Sequence, residues 1–543
     1  MKSDRSSVLS SASEPPRASE SPRASALPRS VLQPFVTQLE RPVFALRNLP
    51  EEVVAVLFAY YSRSREPLRE NLLKLLADGE LQVEAAEGSS SDVQAEADDA
   101  ALAHAREKAR QFHEKWVVGY GHASVAEHAV VHLALEDVSI LASKVIEDSR
   151  LASYTEKSTR YVAFEAGRYH RPRAIMSSRH AERYTRTMDG LFETYTALQP
   201  VLQERLQRLY PPAPEQKPGP YAAALRSKAC DVLRALLPAS TYTNLGLTLN
   251  GRVAEHMLSR LLSDSLEEVR GLGQAMKEEA QKILPTLIKY AAPNVYRAQT
   301  HDALDALADV HFRDIESSVA REVSLMRYDV DAETTVVAAI LYPYTRAPMG
   351  QLREAVAHFT PSQKEQVLRE ALSRRGGHDN PLRALEQVSY QFDLLVDFGA
   401  YRDIQRHRLC TQHAQAVTVE HGYELPEELE LLGLADLFER RMDEAAECYR
   451  ALVGSLPYEA SYCVPLAFRR RLLMTMNLRE LVHFVELRSA PQGHRSYRRV
   501  AQEIYRQVEA VHPTLAQFIR VNREAVGLER LRSEEKLAAR RGE

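Results

Sequence analysis

Cysteine is scarce in this chain: among 543 residues only Cys230, Cys410, Cys448 and Cys463 occur, and no two stand at C-x-x-C spacing. That pattern implies neither a metal site nor a disulfide framework, and reduced thiols are the expectation. Long hydrophobic runs are missing too. No apolar stretch approaches the roughly 20 residues a membrane span requires, and the N-terminus has no hydrophobic signal core, so the cytoplasm is the expected location and no membrane partner is expected. Nor is there a large charge of either sign. The formal net charge of −4 argues against nucleic acid as a partner, although local basic clusters exist. What is present, 45% hydrophobic and 27% charged residues, is the composition of a soluble globular protein. Its length exceeds what one hydrophobic core organises, so at least two domains are expected.

Residues 1–36 are rich in Ser, Pro and Arg without periodicity and read as a disordered tail, because they bury too little apolar surface to offset their ordering entropy. A helix is predicted from Leu49-Pro50-Glu51-Glu52 through Arg63, with acids in its first turn. Asp331 to Arg346 reads almost the same, which indicates an internal repeat. Spacing supports it. Gly121-His122 faces Gly377-His378, and Pro238 faces Pro465, with Asn250 following at 250 − 238 = 12 residues and Asn477 at 477 − 465 = 12. The copies run over about 37–295 and 310–527, with a polar Ser-rich loop at Glu87–Asp92 in the first and a charged segment, 528–543, that reads as a solvated helix or tail. Helical periodicity covers 182–209, 255–290, 364–375, 428–452 and 498–510; His128–Leu135 and Val388–Phe398 read as strands.

The stretch with the most chemistry is Gln405-Arg406-His407-Arg408-Leu409-Cys410. Three consecutive cationic or protonatable side chains cannot share one helix face, so they meet polar partners on more than one side, as an anion pocket requires. A solvated basic turn is the simpler reading of Arg-His-Arg taken alone. It is accompanied downstream by Asn477-Leu478-Arg479 and Leu487-Arg488, and upstream by Gly121-His122-Ala123-Ser124-Val125-Ala126-Glu127-His128 and Ser158-Thr159-Arg160-Tyr161. Together these resemble the motifs of the flavin-dependent thymidylate synthases. The resemblance implies an α+β fold, a small antiparallel sheet flanked by helices, here in two tandem copies.

Each copy keeps a different part of the pattern. The first retains His122, Glu127, Arg150, Ser158, Arg160 and Arg234, but has Asp148 and Ser149 in place of the first Arg-His and Leu261 in place of the late arginine. The second retains Arg406, His407, Arg408, Asn477, Arg479 and Arg488, but has Ala416, Thr418 and Ser461 where Ser, Arg and Arg belong. In the resembled family one active site draws on different subunits, so Ser158, Arg160 and Arg234 from one copy and Arg406 from the other would restore a deoxyuridylate phosphate site once per chain; a phosphate calls for several charge-assisted donors, guanidinium forks above all. The resemblance also implies Arg488 against the uracil, where a cation stabilises charge developing on the ring oxygens. Arg406, His407 and Arg488 are then the residues of the chemistry, His407 beside a flavin where it would favour the anionic reduced ring. The implied FAD set is His122 or His378, Glu127, Ser62 or Thr345, His407, Arg408, Asn477 and His483. NADPH and methylenetetrahydrofolate are the implied co-substrates, dUMP the substrate, dTMP the product, and a homodimer forming a pseudo-tetramer the implied assembly; the alternative is an inactive flavin- or nucleotide-binding homologue.

Plainer readings stand beside these. Ser158 and Arg160 also read as a helix cap with a surface arginine, Asn477 as an N-cap, and Arg488 as a charge answering a helix dipole. Arg469-Arg470-Arg471, Arg498-Arg499 and the C-terminal basic cluster read as solvated faces. Three departures from the pattern are Asp403, with Val145 in the first copy, where glutamine is usual and where an acid beside a phosphate is unfavourable unless it turns away; Cys410-Thr411-Gln412-His413 after Arg-His-Arg; and Arg383-Ala384-Leu385-Glu386 where a Glu-His ending is expected, Glu386 itself being in register.

Overall fold

The computed structural model describes residues 28–61, 64–77, 107, 109–111, 123–312, 321–524 and 527–541. Its contacts divide the chain into two compact units, one of Met1–Val131, Asn250–Arg252 and Ala280–Lys289, the other of the remainder.

In the first unit the helix Glu51–Tyr61 begins where its acids predict, and its apolar face meets the helix Leu68–Ala77 and the segment Leu32–Val36. Leu32, Phe35 and Val36 are buried there. The expected tail therefore stops short of residue 36 because these apolar residues find a core; residues 1–27 lie outside the described residues. Glu52 sits beneath the surface and accepts hydrogen bonds from the Thr286 and Leu287 amides at 2.8 and 3.3 Å.

The second unit carries both sheets of the repeat, apart from Val130, Val131 and Asn250–Arg252, which belong to the first. Strands β1 (Val130–Ser139), β2 (Ala152–Glu156) and β3 (Tyr242–Asn250) form a sheet in the order β1-β3-β2; β4 (Val323–Tyr328), β5 (Ser389–Asp397), β6 (Thr411–Ala414) and β7 (Arg469–Asn477) form a second in the order β4-β5-β7-β6. Setting β4 aside, the two sheets have one topology. After β1 a short helix, Ile140–Ile146, is capped by Ser139; after β5 the helix Phe398–Ile404 is capped by Asp397. After β3 comes Gly251–Leu261, and after β7 comes Leu478–Arg488. The fold is α+β, two copies of a small antiparallel sheet flanked by helices.

The copies meet on equivalent residues. Pro238 bridges Pro465, an offset of 465 − 238 = 227. Ala239 N–H donates to Val464 at 2.8 Å and Leu466 N–H to Leu237 at 2.9 Å, while Ser240 donates to Tyr462 and Ala467 to Ala235. Each of these pairs maps onto the other under the same offset of 227. This is the self-complementary geometry of a two-fold dimer, built within one chain.

Some elements differ from expectation for local reasons. The predicted helix 255–290 is two helices, Gly251–Leu261 and Glu267–Gln281, and 428–452 is interrupted at Gly433, whose φ of 67° favours glycine. The triple arginine is part of the central strand β7, where Arg470 faces inward over the Tyr401 ring at 4.2 Å, and Arg469 and Arg471 pair with Glu424 and Asp393. Arg498 is buried and Arg499 pairs with Glu322. These basic residues are thus structural partners rather than solvated faces.

Between the copies lies a buried ionic cluster. Glu156 accepts from Lys144 Nζ at 3.0 Å and pairs with Arg402 at 2.9 Å, its own side chain fully buried. Burial alone would raise its pKa, but Arg402 and Lys144 carry it down to about 2. Removing one member of such a cluster leaves uncompensated buried charge, so Glu156→Gln is expected to cost about 3–5 kcal/mol. A lowered denaturant midpoint at unchanged slope checks this; an unchanged midpoint contradicts it.

Candidate active site

Four elements of the second unit bring the predicted basic residues together. β2 ends at Glu156 and runs into a tight turn in which Ser158 Oγ accepts from the Arg160 amide at 3.2 Å. The helix Pro218–Leu233 carries Asp231 and leads into a 3-10 turn beginning at Arg234. Arg402 and Asp403 lie on Phe398–Ile404, with Arg406 just past its end, and Leu478–Arg488 delivers Arg488 in its last turn. They enclose a cavity of about 320 Å³, lined by Ser158, Arg160 and Arg234 from the first copy and by Arg406 and Arg488 from the second.

A second cavity of about 420 Å³ is lined by His407, Arg408, Asn477, Arg479, Glu480 and His483, and shares Arg406, Leu487 and Arg488 with the first. Two adjoining spaces with a common wall of two arginines suit a reaction that passes a group between two bound molecules. The second has a donor excess, Arg406, Arg408, Arg479 and Arg488 against Glu386 and Glu480, which fits a group bearing a diphosphate.

Half of the arginines of the first cavity, Arg160, Arg234 and Arg402, are already held by carboxylates. Arg160 grips Asp231 in a two-pronged pair, Nε to Oδ1 at 2.6 Å and Nη2 to Oδ2 at 3.0 Å, and donates to Tyr497 Oη at 3.1 Å. It is 8% exposed, a buried arginine and not a surface one. Burial opposes the Asp231 charge, yet Arg160, His494 and Arg234 hold its carboxyl well below the usual range. Arg234 approaches Asp231 and Asp403, each at 3.6 Å, and leaves Nη2 buried without a partner. Asp403 points into the cluster; against burial, Arg234, Arg160, Arg488 and Arg406 lower its pKa. The acid therefore does not turn away from the basic cluster.

His407 joins the two cavities. Its Nδ1 lies 2.7 Å from Glu480 Oε1, and Arg488 Nε donates to its Nε2 at 2.9 Å. With Nε2 accepting, the proton sits on Nδ1 and the ring is neutral; burial first, then Arg488 and His483, push its pKa well below the usual imidazole value. His407, Glu480 and His483 are close enough to one another to hold a metal ion, but these hydrogen bonds commit both His407 nitrogens. Asn477 caps its helix by accepting from the Glu480 amide at 2.9 Å while still lining the second cavity. Arg408 donates to the carbonyls of Arg150 and Ala152, tying the second copy to the edge of β2.

Other predicted residues are not among those that line either cavity. Glu127 pairs with Arg252 at 2.5 Å within the first unit. His378 and Thr345 are exposed and line neither cavity. Ser62 and His122 lie outside the described residues. Sequence reasoning did not single out Asp231, Glu480, Arg402 or Tyr497. The only signal for Asp231 is its place one helical turn before Arg234, and such pairs are common on any helix.

The profile of the family described as thymidylate synthase complementing protein matches residues 71–286 and again 324–514. A UPF0159 protein of Chlamydia muridarum is 37% identical over 525 residues, 94% of this chain and 97% of that protein. A flavin-dependent thymidylate synthase of Geobacter sulfurreducens is 28% identical over 204 residues, 36% of this chain and 84% of its own. The crystal structure of flavin-dependent thymidylate synthase from Helicobacter pylori, complexed with FAD and dUMP, covers 37% of this chain and 100% of its own, at 17% identity and a TM-score of 0.29. With two successive matches to the family profile along one polypeptide, the chain belongs to the thymidylate synthase complementing protein family, that of the flavin-dependent thymidylate synthases, as a tandem duplication.

Proposed function

We propose that the chain is an FAD-dependent thymidylate synthase, methylating dUMP reductively to dTMP in one composite site per polypeptide. The observation that carries this reading is that motif residues surviving in each copy, Ser158, Arg160 and Arg234 from one and Arg406 and Arg488 from the other, line a single cavity. The mirrored positions hold Asp148, Leu261, Thr418 and Ser461, which offer no guanidinium.

In this reading the nucleotide phosphate meets Arg406 and the free edge of Arg234, with Ser158 as a hydroxyl donor. Arg160, locked onto Asp231, fixes the wall they share. Arg488 is held from two sides, by the His407 acceptor and by the Tyr497 ring 5.3 Å away. A guanidinium so fixed stabilises negative charge on the pyrimidine oxygens without reorganising as the charge develops. His407, neutral and anchored to Glu480, acts by orienting Arg488. His407, Arg408, Asn477 and His483 would hold FAD, which when bound supplies the hydride, with NADPH as its reductant and methylenetetrahydrofolate as the carbon donor.

One observation favours a second reading, a nucleotide binder without turnover: Asp403 occupies part of the arginine cluster with its own carboxylate. Growth of a thymidine-requiring strain on this gene separates the two, since binding alone cannot sustain it.

Arg406→Ala and Arg160→Ala are each expected to weaken dUMP binding about 10–100-fold, the weight of charged hydrogen bonds, measured by titration calorimetry; unchanged affinity in either contradicts the shared site. The His407 linkage gives a pH prediction. Its folded pKa lies below the ordinary 6.5, so acidification through that value protonates the unfolded chain first, and the stability this ring contributes, complete above about 6.5, declines as pH falls toward the folded pKa. Between pH 7.5 and 5.5 the wild-type melting temperature should therefore fall more steeply than that of His407→Gln; equal slopes would show that the ring is not held neutral.

A further inference from the structure

The segment beyond residue 514 lies outside both family matches, yet its last part is built into the cavity. Gly527 rests against the Tyr210 ring, where an added Cβ would collide with it. Glu529 is buried and takes Lys228 Nζ at 2.6 Å, a lysine also bound by Glu428 at 2.6 Å. The helix Leu531–Arg541 buries Ala538. Between these anchors Arg530 lays its guanidinium over the Tyr161 ring at 3.7 Å and lines the same cavity as Arg160 and Arg406.

The charges in that cavity distinguish Arg530 from a surface residue. Arg160, Arg234 and Arg402 face Asp231, Asp403 and Glu156. Among the described residues Arg406, Arg488 and Arg530 are the guanidinium groups of the cavity with no carboxylate within ion-pair distance, and Arg530 Nε is buried without a partner. Burial, then repulsion from Arg160, push the Arg530 pKa down to about 9. It remains a cation at neutral pH, its charge favoured by Glu534 on the following helix without an ion pair between them. A phosphate monoester brings about −1.5 to −2, which these three unpaired cations suffice to neutralise.

We propose that the C-terminal segment is a working part of the anion site, and that Arg530, stacked on Tyr161 and unpaired in the cavity, is a phosphate-binding residue supplied from outside both repeats. The proposal deepens the reading above, on which it rests for the nucleotide but not for the anion. Ring stacking restrains the planar guanidinium, so less entropy is lost when it takes an oxyanion, and lysine is not its equivalent.

The test uses the full chain and two probes, inorganic phosphate and dUMP, titrated into wild type, Arg530→Gln and Arg530→Lys. Arg530→Gln is expected to lose roughly 10–100-fold in affinity for both probes, with its unliganded melting temperature unchanged, and Arg530→Lys to recover part of that loss. Wild-type affinity for phosphate in Arg530→Gln overturns the proposal while leaving the composite site standing. Phosphate binding that depends on Arg530, in a protein that does not bind dUMP, upholds the proposal and removes the nucleotide reading. A wild type that binds neither probe overturns both.

Discussion

The constraint on which the rest depends is the crossing at Pro238 and Pro465, where the two copies meet through backbone hydrogen bonds that repeat under one offset. A two-fold contact between identical chains must present the same residues twice, so a loss on one side is a loss on both. Joining the copies in one chain lifts that requirement. One side of the crossing retains guanidinium groups from both copies; at the mirrored positions Leu261 has become core and Ser461 donates to the Val417 carbonyl. Complementary decay in the two halves follows from this geometry, because each half is under demand for only part of the pattern.

Bringing so many cations together is unfavourable unless their fields are balanced before any ligand arrives. Glu156, Asp231 and Asp403 do this, each drawn below its ordinary pKa by neighbouring arginines despite burial. The carboxylates neutralise the deep layer and fix the orientation of Arg160 and Arg402, leaving Arg406, Arg488 and Arg530 to face the cavity. Such preorganisation lowers the cost of binding and of stabilising developing charge. It also explains how Asp403 would be tolerated beside the proposed phosphate site: its partner Arg234 still offers a buried, unpaired Nη2.

Much of this was legible in the residues. The equal spacing from Pro238 to Asn250 and from Pro465 to Asn477 marks the register in which the two copies pair, and the Arg406-His407-Arg408 run does face polar partners on more than one side. The charged residues that became structural were harder to read. Arg469-Arg470-Arg471 looks like a solvated run because nothing in it reveals that Arg470 will stack on Tyr401 from the inward face of a strand. Asp231 and Glu480 belong to no motif; their roles arise from helices that meet only after folding. Arg530 was hidden for the same reason, since its charged neighbourhood reads as tail and its anchors, Lys228, Tyr210 and Tyr161, lie far away in sequence.

The central claim, that two incomplete copies make one anion site, is tested most directly by the stoichiometry of dUMP binding to the purified full chain at saturation. The account predicts one nucleotide per polypeptide. Two per polypeptide, one at each side of the crossing, would contradict it.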